Sequence, residues 1–474
     1  MEPASPLCTA MIRLPDTGGR IVCLVTRVTN DPHPDPAAPV PEALERENAC
    51  ALVSLTEPRD LWHLGIPDLL RQVRAFHVPV YELPIAIAAA PDADFEAAWS
   101  EISPGLHHRL DCGMTIALLD TAHAGRAGTV AARLLVERGL CAAEAEDAVR
   151  MALPGAFASE AQLDHVHGHA PCITAAGDTD ARAIRDRCSG AMLGLAVGEA
   201  LGRAVEARIA NGVAFLDEKT AASLLETGCV PGGHTGRALE LADWLAARDR
   251  SEGAERGLQA TRTPDESAVA EVVPVLQLAE RLAAIEQRHS RPPATSRGGF
   301  AASIAPLALR YHPDREELQR VTAEVARNLE LNGAEQDACG WLVGMLAAAF
   351  PGERAARVVV AGVTADVALA RWRTWTRRNV PVDPDPEELV AIACWCLARS
   401  GSFAETLLMA ASLPGPTAAI AAGAGQLAGA VYGSRAIPRE WMARIAGQGL
   451  LIGAARRLHA ARRGDPRTDH GTAP

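Results

Sequence analysis

The sequence has almost no lysine: Lys219 is the only one, and every other basic residue is an arginine. It also lacks a long uninterrupted apolar run, because its apolar stretches are rich in alanine and broken by polar residues. A membrane-spanning helix needs about 20 consecutive apolar residues, so we predict none and expect no membrane partner. The N-terminus shows no basic start followed by an apolar run, so we predict no secretory signal and expect a cytoplasmic protein.

Two further features limit the possible functions. No Cys-x-x-Cys pair occurs among the 11 cysteines, and Cys394 and Cys396 alone are too few for a zinc site. We therefore expect reduced cysteines in the core of a cytoplasmic chain. A net charge of −12 argues against nucleic acid as a partner, because surfaces that bind nucleic acid are normally basic.

The length of 474 residues exceeds what a single hydrophobic core usually organises, so we predict a multidomain protein. Residues 1–170 have the pattern of an α/β domain, and residues 184–460 have that of an all-α domain. The segment 171–183 is rich in small and polar residues and is the predicted linker. Residues 461–474 are the predicted flexible tail.

Short apolar runs alternate with helical patterns in the first domain. Strands are predicted for Arg20–Thr26, Ala51–Leu55, Val78–Leu83 and Thr115–Leu119, and helices for Pro67–Phe76, Asp92–Leu110, Gly128–Glu137 and Ala142–Met151. This alternation favours a parallel sheet covered by helices. The first eight or so residues are expected to be loose, and the Pro-rich segment Asp31–Pro41 is expected to be a surface loop.

One strand-to-helix turn in this domain has the pattern of an anion-binding loop. Residues Leu119–Thr129 read LDTAHAGRAGT, and the N–H groups at the start of a helix favour an anion at such a turn. The turn resembles the phosphate loop of tyrosine and dual-specificity phosphatases, which reads HCxxGxGRAGT. This resemblance implies a phosphatase-like α/β fold and makes Asp120 and Arg126 candidate ligand-binding residues.

The departures from the phosphatase pattern argue against phosphatase activity. Asp120 replaces the nucleophilic cysteine of the family, and Ile87 stands where its general acid belongs. A carboxylate is a poor substitute for a thiolate nucleophile, and its negative charge repels a phosphate dianion. We therefore predict that Asp120 pairs with Arg126 and that this domain is not a phosphatase.

The end of the first domain contains a histidine-rich segment, DHVHGHAPC, with His165, His167, His169 and Cys172. Neutral imidazole binds zinc, copper and nickel, so a metal site is one interpretation. The i, i+2 spacing does not place all three rings on one face of a helix. We therefore favour an exposed polar segment and predict no metal ligand here.

The second domain is predicted to be helical. Helices are predicted for Ala238–Ala247, Val269–Ile285, Arg315–Asn328, Asp337–Ala349, Glu388–Ala398, Phe403–Ala411, Thr417–Val431 and Pro438–Ala446, and surface loops for Arg248–Asp265 and His289–Gly299.

One further helix organises the second domain. Residues Arg187–Gly202 read RCSGAMLGLAVGEALG, in which small residues alternate with large apolar ones. Such a helix can be approached closely on several sides, so we expect it in the middle of a bundle. Glu199 is the only acid in this stretch, and a buried carboxylate needs a partner. It is therefore a satisfied core acid or a site residue.

This helix resembles the opening helix of ADP-ribosylglycohydrolases, GALLGLAVGDALGAPVE, whose last acid matches Glu206. Later segments agree in order, with PGGHTGRALELA from Pro231, IAPLAL from Ile304 and TAAIAAGAGQLAGAVYG from Thr417. The resemblance covers residues 184–460 and implies the helical fold of that family. It also implies a magnesium pair held by two segments rich in threonine and aspartate.

The residues that would hold this metal pair are largely missing. The first segment falls on residues 235–238, and the second falls on residues 414–419. Only Thr235 and Thr417 keep an oxygen ligand, whereas magnesium usually requires carboxylates or phosphates. We therefore predict no bound metal and no cofactor.

In place of the metal, we predict that Arg237 pairs with Glu199; the alternative is that Arg237 points to solvent. A shift of one residue in register would turn Glu240 or Asp243 into the cleft instead. His234 is a satisfied turn residue or an acid–base group. The candidate site is therefore Glu199, His234 and Asp243 as catalytic residues, with Glu206, Thr235, Arg237 and Thr417 as ligand-binding residues.

The loss of both reaction centres predicts a pseudoenzyme. Such a protein would bind an ADP-ribose-like or nucleotide ligand, or a protein partner, without metal-dependent hydrolysis. The alternative is a repurposed, metal-independent hydrolase of ADP-ribosyl or other N-glycosidic bonds, in which Glu199, His234 or Asp243 supplies acid–base catalysis. A third interpretation is that the chain assembles with an active paralogue, which performs the catalysis. Fold resemblance alone does not separate these interpretations.

Overall fold

The computed structural model describes residues 7–26, 39–76, 78–121, 124–169, 181–208, 216–225, 232–256, 300–352 and 371–461. The chain forms two compact units: Met1–Ala176 with Ala398–Gly401, and Gly177–Leu397 with Ser402–Pro474. Residues 181–183 of the predicted linker already belong to a helix, and residue 461 of the predicted tail ends another. The rest of the linker and tail lies outside the described residues and stays a prediction. No helix in the described ranges combines the length and apolarity that crossing a bilayer requires.

A five-stranded sheet forms the centre of the first unit. Its strands are β1 (Leu7–Arg13), β2 (Arg20–Thr26), β3 (Ala49–Ser54), β4 (Val80–Glu82) and β5 (Thr115–Thr121). They lie in the order β1-β2-β5-β3-β4, with β1 antiparallel to β2 and the other neighbours parallel. The predicted α/β class is therefore confirmed, and the sheet is mostly parallel with one antiparallel edge strand.

Strand β1 corrects the expectation of loose N-terminal residues at Leu7 and Cys8, and residues 1–6 lie outside the described ranges. Leu7 and Cys8 already pair with Thr26 and Val25 of β2. The buried side chains in Leu7–Arg13 lie among partly or fully exposed ones, which is typical of an edge strand. The composition of this strand, LCTAMIR, contains no continuous apolar run, so the sequence pattern did not predict it.

Helices flank the sheet and begin at recognisable signals. Those described are α1 (Pro39–Arg46), α2 (Pro58–His63), α3 (Leu69–Ala75), α4 (Ala93–Asp111), α5 (Gly125–Glu137), α6 (Ala142–Ala152) and α7 (Glu160–His167). Asp92, for example, accepts a hydrogen bond from the backbone N–H of Phe95 and so caps α4. The predicted surface loop Asp31–Pro41 ends in a helix from Pro39 onward, and residues 31–38 lie outside the described ranges.

The histidine-rich segment is helical up to His167, and His165 and His169 are partly buried, which corrects the expectation of an exposed segment at these two residues. Ser159 caps α7, which ends at His167. The side chain of His165 is only 11% exposed, and its ring lies against the ring of His169, with centroids 4.4 Å apart. The i, i+4 pair therefore shares one side of the segment, while His167 turns away and pairs with Glu146 at 3.1 Å.

A buried carboxylate in α5, that of Glu137, receives three hydrogen bonds. Its oxygens lie 2.8 Å from Nε1 of Trp99, 2.8 Å from Nε of Arg133 and 2.8 Å from Nε2 of His107. Burial by itself raises the pKa of Glu137, but these three groups outweigh burial and lower the pKa from 4.5 to about 2. The folded protein therefore holds this carboxylate ionised at pH values where an unfolded chain would protonate it.

We expect Glu137 to stabilise the first unit at pH 4.5 and above and to lose that effect towards pH 2. A carboxylate whose pKa is depressed by folding contributes stability above its unfolded pKa, and this contribution disappears as the pH falls through its folded pKa. Melting temperatures measured across this range should fall more steeply for the wild type than for Glu137→Gln. The exposed Glu101→Gln variant of α4 should follow the wild type, and parallel curves for wild type and Glu137→Gln would contradict the prediction.

The second unit is built from helices, and its described part contains no strand. Its helices are α8 (Ala181–Arg208), α9 (Glu218–Leu224), α10 (Gly233–Arg256), α11 (Ala305–Tyr311), α12 (Arg315–Asn328), α13 (Gly333–Ala349), α14 (Pro386–Arg399), α15 (Phe403–Ala411), α16 (Thr417–Tyr432), α17 (Arg439–Met442) and α18 (Gln448–Ala461). The predicted helical class of the second domain is therefore confirmed.

Several helix limits differ from the predictions; α13, for example, begins at Gly333 and not at Asp337. Helix α10 continues to Arg256, although the polar composition predicts a loop from Arg248. The arginine, glutamate and alanine residues of this stretch are good helix formers, which explains the extension. The segment Pro438–Ala446 is helical only over the four residues of α17. The predicted helix Val269–Ile285 and the predicted loop His289–Gly299 lie outside the described residues.

Helices α8 and α16 pack antiparallel through faces of glycine. A Cβ atom added to Gly194 of α8 would collide with the carbonyl oxygen of Gly425 in α16. One turn later in α8, a Cβ atom on Gly198 would collide with the carbonyl oxygen of Ala421. The two backbones therefore touch, and only glycine permits this distance. The predicted central position of the Arg187–Gly202 stretch is confirmed, since nearly all of it is buried.

The substitution Gly194→Ala tests this contact. Because the new methyl group must push two helix backbones apart, we expect a loss of about 1–3 kcal/mol in the free energy of unfolding of the second unit. Calorimetry of the full chain measures the corresponding fall in melting temperature. Gly340→Ala, in α13 and facing open space, is the matched control. It should leave stability unchanged or raise it by up to about 1 kcal/mol. Equal melting temperatures for the two variants would contradict the prediction.

Candidate functional site

A carboxylate from α8 caps the start of α10. Glu199 accepts hydrogen bonds from the backbone N–H groups of His234 and Thr235, both at 2.9 Å. The hydroxyl of Thr235 adds a third hydrogen bond at 2.7 Å. Gly232 precedes the helix, and a side chain there would collide with the Glu199 carboxylate. The start of a helix carries partial positive charge, so it is a favourable place for a buried anion.

These donors keep Glu199 ionised although the residue is only 2% exposed. Burial by itself raises the pKa of Glu199. The His234 imidazole, the Thr235 hydroxyl and the two backbone N–H groups outweigh burial and hold the pKa below its usual value. At neutral pH the carboxylate therefore accepts protons and does not donate them.

The predicted ion pair between Glu199 and Arg237 is wrong. The Arg237 guanidinium donates from Nη2 to Nδ1 of His234 at 2.8 Å and from Nε to Oγ of Ser303 at 3.4 Å. Residues two apart on a helix point in directions about 200° apart, so Arg237 does not face the carboxylate that Thr235 faces. Among the described residues, Glu199 is held by the helix start and not by a cation from the next turn.

A second acid of α8 holds the start of α16. Glu206, two turns after Glu199, accepts a hydrogen bond from the backbone N–H of Ala418 at 2.8 Å. Thr417 is buried, and its hydroxyl donates to the carbonyl oxygen of Leu413 at 3.1 Å. The close contact of α8 with α16 thus places an acid of α8 at the start of a second helix. The predicted residues that the structure brings together around α8 are Glu199, Glu206, His234, Thr235 and Thr417.

Asp243 does not belong to this group. Its side chain is 61% exposed and pairs with Arg457 of α18 at 3.0 Å. Ala238 and Ala242 mark the buried face of α10, and Asp243 lies on the exposed side. Glu240 is partly buried on the same helix. The sequence left open which residues of α10 face the cleft. In the structure the start of α10 contacts Glu199 of α8, and Asp243 faces away from it.

The described oxygen atoms at the starts of α10 and α16 do not fit a pair of magnesium ions. The Thr235 hydroxyl donates its proton to Glu199, and the Thr417 hydroxyl donates to a backbone carbonyl. Arg237 adds a fixed positive charge beside His234. Magnesium prefers carboxylates, phosphates and water in near-octahedral geometry. Here the two carboxylates of α8 are already bonded to backbone N–H groups.

The predicted pair of Asp120 and Arg126 in the first unit is confirmed. Nε of Arg126 donates to Oδ1 of Asp120 at 2.6 Å, and both side chains are buried. The other carboxylate oxygen of Asp120 accepts the backbone N–H of Ala127, in the first turn of α5, at 3.0 Å. An internal carboxylate therefore occupies the helix start at which the resembled loop would bind a phosphate group.

Every donor of the Arg126 guanidinium is used within this unit. Its other N–H groups donate to Asp60 at 2.7 Å, to the carbonyl of Ile85 at 3.0 Å, and to the carbonyl and hydroxyl of Thr121 at 3.1 and 2.7 Å. Arginine has five N–H donors, so none remains for a ligand. Burial by itself lowers the pKa of Arg126, but Asp120 and Asp60 outweigh burial and raise the pKa above its usual value.

Asp60 and Ser303 were not predicted from the sequence. Asp60 accepts a hydrogen bond from Arg126, and Ser303 accepts one from Arg237. Asp60 lies in α2, where it also forms a capping box with Glu57, so its local pattern indicates only the start of a helix. Ser303 lies just before the IAPLAL segment, in a short 3₁₀ helix. Neither residue has a local signal for its role, because the arginine that it meets is distant in the sequence.

Comparison with known families identifies the second unit. The family model described as ADP-ribosylglycohydrolase matches residues 180–468, which is more than half of the chain. The chain belongs to the ADP-ribosylglycohydrolase family. The resemblance noted for the helical domain is thereby confirmed.

Individual relatives of this ADP-ribosylglycohydrolase chain cover different parts of it. A stretch of 54 residues is 43% identical to the ADP-ribosylarginine hydrolase Tri1 of Pseudomonas putida (strain GB-1), spanning 11% of this chain and 15% of that relative. A structure described as an ADP-ribosylglycohydrolase-related protein complex is 26% identical with a TM-score of 0.43, covering 60% of this chain and all of that one.

The first unit has a weaker structural neighbour. Kinase associated phosphatase, with its catalytic site cysteine substituted by serine, is 20% identical with a TM-score of 0.30, and the match covers 35% of this chain and 94% of that one. Similarity at this level carries no argument about activity. The phosphatase-like fold of the first unit therefore stays a prediction.

The substitution Arg126→Met tests the internal ion pair. It leaves Asp120 and Asp60 buried without their shared cation, so we expect a loss of about 3–5 kcal/mol in the free energy of unfolding of the first unit. Arg59→Met removes an arginine that is 64% exposed and paired with Glu57, and should cost at most about 1 kcal/mol. Urea unfolding of both variants measures the difference, and similar losses would contradict the assignment.

Proposed function

We propose that this ADP-ribosylglycohydrolase-family chain binds an ADP-ribose-like or nucleotide ligand in its helical unit without metal-dependent hydrolysis. The observation that supports the proposal is the start of α10, where Glu199 is held by backbone N–H groups and Arg237 lies beside His234. A fixed guanidinium stands in the segment where the resembled family places carboxylate ligands for magnesium.

The family supplies the class of ligand. Its name specifies an ADP-ribosyl group, which contains a diphosphate joining two ribose rings. A guanidinium suits a diphosphate, because its planar donors match phosphate oxygens and its charge is permanent. Arg237 is partly buried, so a charge-assisted hydrogen bond there is less screened than one at the surface.

A metal-independent hydrolase is the second candidate function. Arginine only donates hydrogen bonds, so the contact of Arg237 with Nδ1 of His234 places the ring proton of the neutral imidazole on Nε2. The neutral ring can donate a hydrogen bond from Nε2, and the ionised Glu199 is the candidate general base for cleavage of an N-glycosidic bond. The Tri1 relative is described as acting on ADP-ribosylarginine, so that bond is the substrate to test.

The first unit is proposed to contribute no phosphatase chemistry. Asp120 already supplies the anion at the start of α5, and Arg126 has no donor left for a substrate. We also propose that the whole chain can act by assembling with a protein partner or an active paralogue. A cytoplasmic location stays part of this proposal. Co-purification of a second subunit in fixed ratio would support such an assembly.

Calorimetric titration of the full chain with ADP-ribose tests the proposed binding. We expect saturable binding that is unchanged within about twofold by magnesium or by a chelator, because the described carboxylate and hydroxyl oxygens of the site are already hydrogen-bonded. Arg237→Ala should weaken binding about tenfold or more, since a hydrogen bond to a charged group contributes about 1.5–3 kcal/mol. Arg457→Ala, on the exposed side of the same unit, is the matched control and should bind as the wild type does.

Three outcomes separate the candidate functions. Binding that appears only with magnesium would overturn the metal-independent proposal. Release of ADP-ribose from an ADP-ribosylated arginine substrate, abolished by Glu199→Gln or His234→Ala but not by a chelator, would favour the hydrolase over the binding protein. No binding of ADP-ribose under any of these conditions would contradict both candidates and leave the assembly role.

A further inference from the structure

Three side chains with metal-binding atoms meet on the first unit. Glu96 lies in the first turn of α4, His165 in the last turn of α7, and His169 just after that helix. One ligand atom from each of these residues lies within 4.8 Å of the other two. All three residues are partly buried. Their side chains are therefore held by neighbours, and an ion can still reach them from solvent.

The two histidines are arranged as acceptors towards the cluster. His169 Nδ1 lies 2.7 Å from the backbone carbonyl of His165. A carbonyl only accepts, so Nδ1 carries the proton and the neutral ring presents the lone pair of its Nε2. Histidines that bind metals commonly donate their other ring proton to a backbone carbonyl in this way, because the bond fixes both tautomer and ring orientation.

His165 is held in the same state by a different neighbour. Its Nε2 lies 3.4 Å from Nη1 of Arg133 and 3.8 Å from a carboxylate oxygen of Glu96. Arginine only donates, so Nε2 is the acceptor of this contact and carries the lone pair that an ion would take over from Arg133.

Arg133 competes with an ion for the ligand atoms of Glu96 and His165. It donates to both oxygens of Glu96, at 2.6 and 2.8 Å. It is also anchored by Glu137 at 2.8 Å and lies over the ring of Trp99 at 4.9 Å. Arg133 can therefore stay in place and release one oxygen of Glu96. Two carboxylates and one guanidinium leave a net charge of −1 around two neutral rings, which favours a dication.

We propose that Glu96, His165 and His169 form a binding site for a divalent transition metal ion that prefers imidazole, with zinc as the physiological ion. Two nitrogens and one carboxylate oxygen match zinc and nickel, whereas magnesium and calcium prefer oxygen ligands alone. In a tetrahedral site the ligand atoms are about 3.4 Å apart, so these side chains must close by roughly an ångström. Glu96 is 41% exposed, which leaves room for that movement and for a water on the open side.

The bound ion would join the start of α4 to the end of α7. It would replace a weak contact between Glu96 and His165 with coordinate bonds to both helices. The role that follows is structural: the ion fixes the end of α7 against the start of α4. This site is separate from the arginine pair of Asp120 and from the helical unit, so it does not depend on the proposed function.

Titration of the full chain with Ni²⁺ tests the site. Nickel is the first probe because it favours imidazole, whereas zinc also binds thiolates such as that of the exposed Cys141. We expect one ion per chain and a higher melting temperature of the first unit in its presence. His165→Ala and His169→Ala should each weaken the affinity at least tenfold, and Zn²⁺ should compete with Ni²⁺ for the same site.

His167→Ala is the matched control, because this histidine lies in the same helix but pairs with Glu146 on the outside. It should leave the nickel affinity unchanged. If His165→Ala disturbs folding, the more peripheral His169→Ala and Glu96→Gln variants give the same test, and melting curves without metal show whether the fold is retained. Equal affinity in wild type, His165→Ala and His169→Ala, or equal weakening by His167→Ala, would overturn the proposal. So would binding weaker than about 1 mM.

Discussion

The contact between α8 and α16 is the constraint on which the helical unit depends. Two backbones meet without intervening side chains, because the contacting positions are glycine in α8 and glycine or alanine in α16, as at Gly194 and Gly425. At the end of this contact, Glu206 is close enough to accept the backbone N–H of Ala418. A larger residue in the contact would separate the helices and withdraw this acid from the helix start that it caps. The site is therefore a consequence of backbone packing as much as of its polar residues.

Both units satisfy a helix start with a carboxylate of their own. Asp120 accepts the N–H of Ala127 at the start of α5, and Glu199 accepts two N–H groups at the start of α10. A helix start is otherwise a place where a phosphate group can bind. An external anion would have to displace these carboxylates, which are buried and carry further hydrogen bonds. This arrangement stabilises the fold and at the same time limits which ligands each unit can accept.

The sequence predicted local features well where they depend on neighbours along the chain. The strand Arg20–Thr26 and the helix Phe403–Ala411 have the predicted limits, because their apolar patterns are strong and bounded by turn residues. The pair of Asp120 and Arg126 was also predictable, since one strand-to-helix turn contains both residues. The strand Leu7–Arg13 was missed because its stability comes from pairing with β2 and not from its own composition.

The sequence by itself determined the two fold classes, the family of the helical unit and the substitution of aspartate for the nucleophile in the phosphatase-like turn. Only the tertiary structure decided which groups hold the charges. Glu199 is satisfied by backbone N–H groups and not by Arg237, and Arg126 is completed by Asp60 from another helix. Backbone donors leave no trace in a sequence pattern, and the direction of a side chain on a helix depends on a register that only packing fixes. The contact between Glu96 and His165 was also not predictable from the sequence, because it forms only when two helices that are distant in the chain pack together.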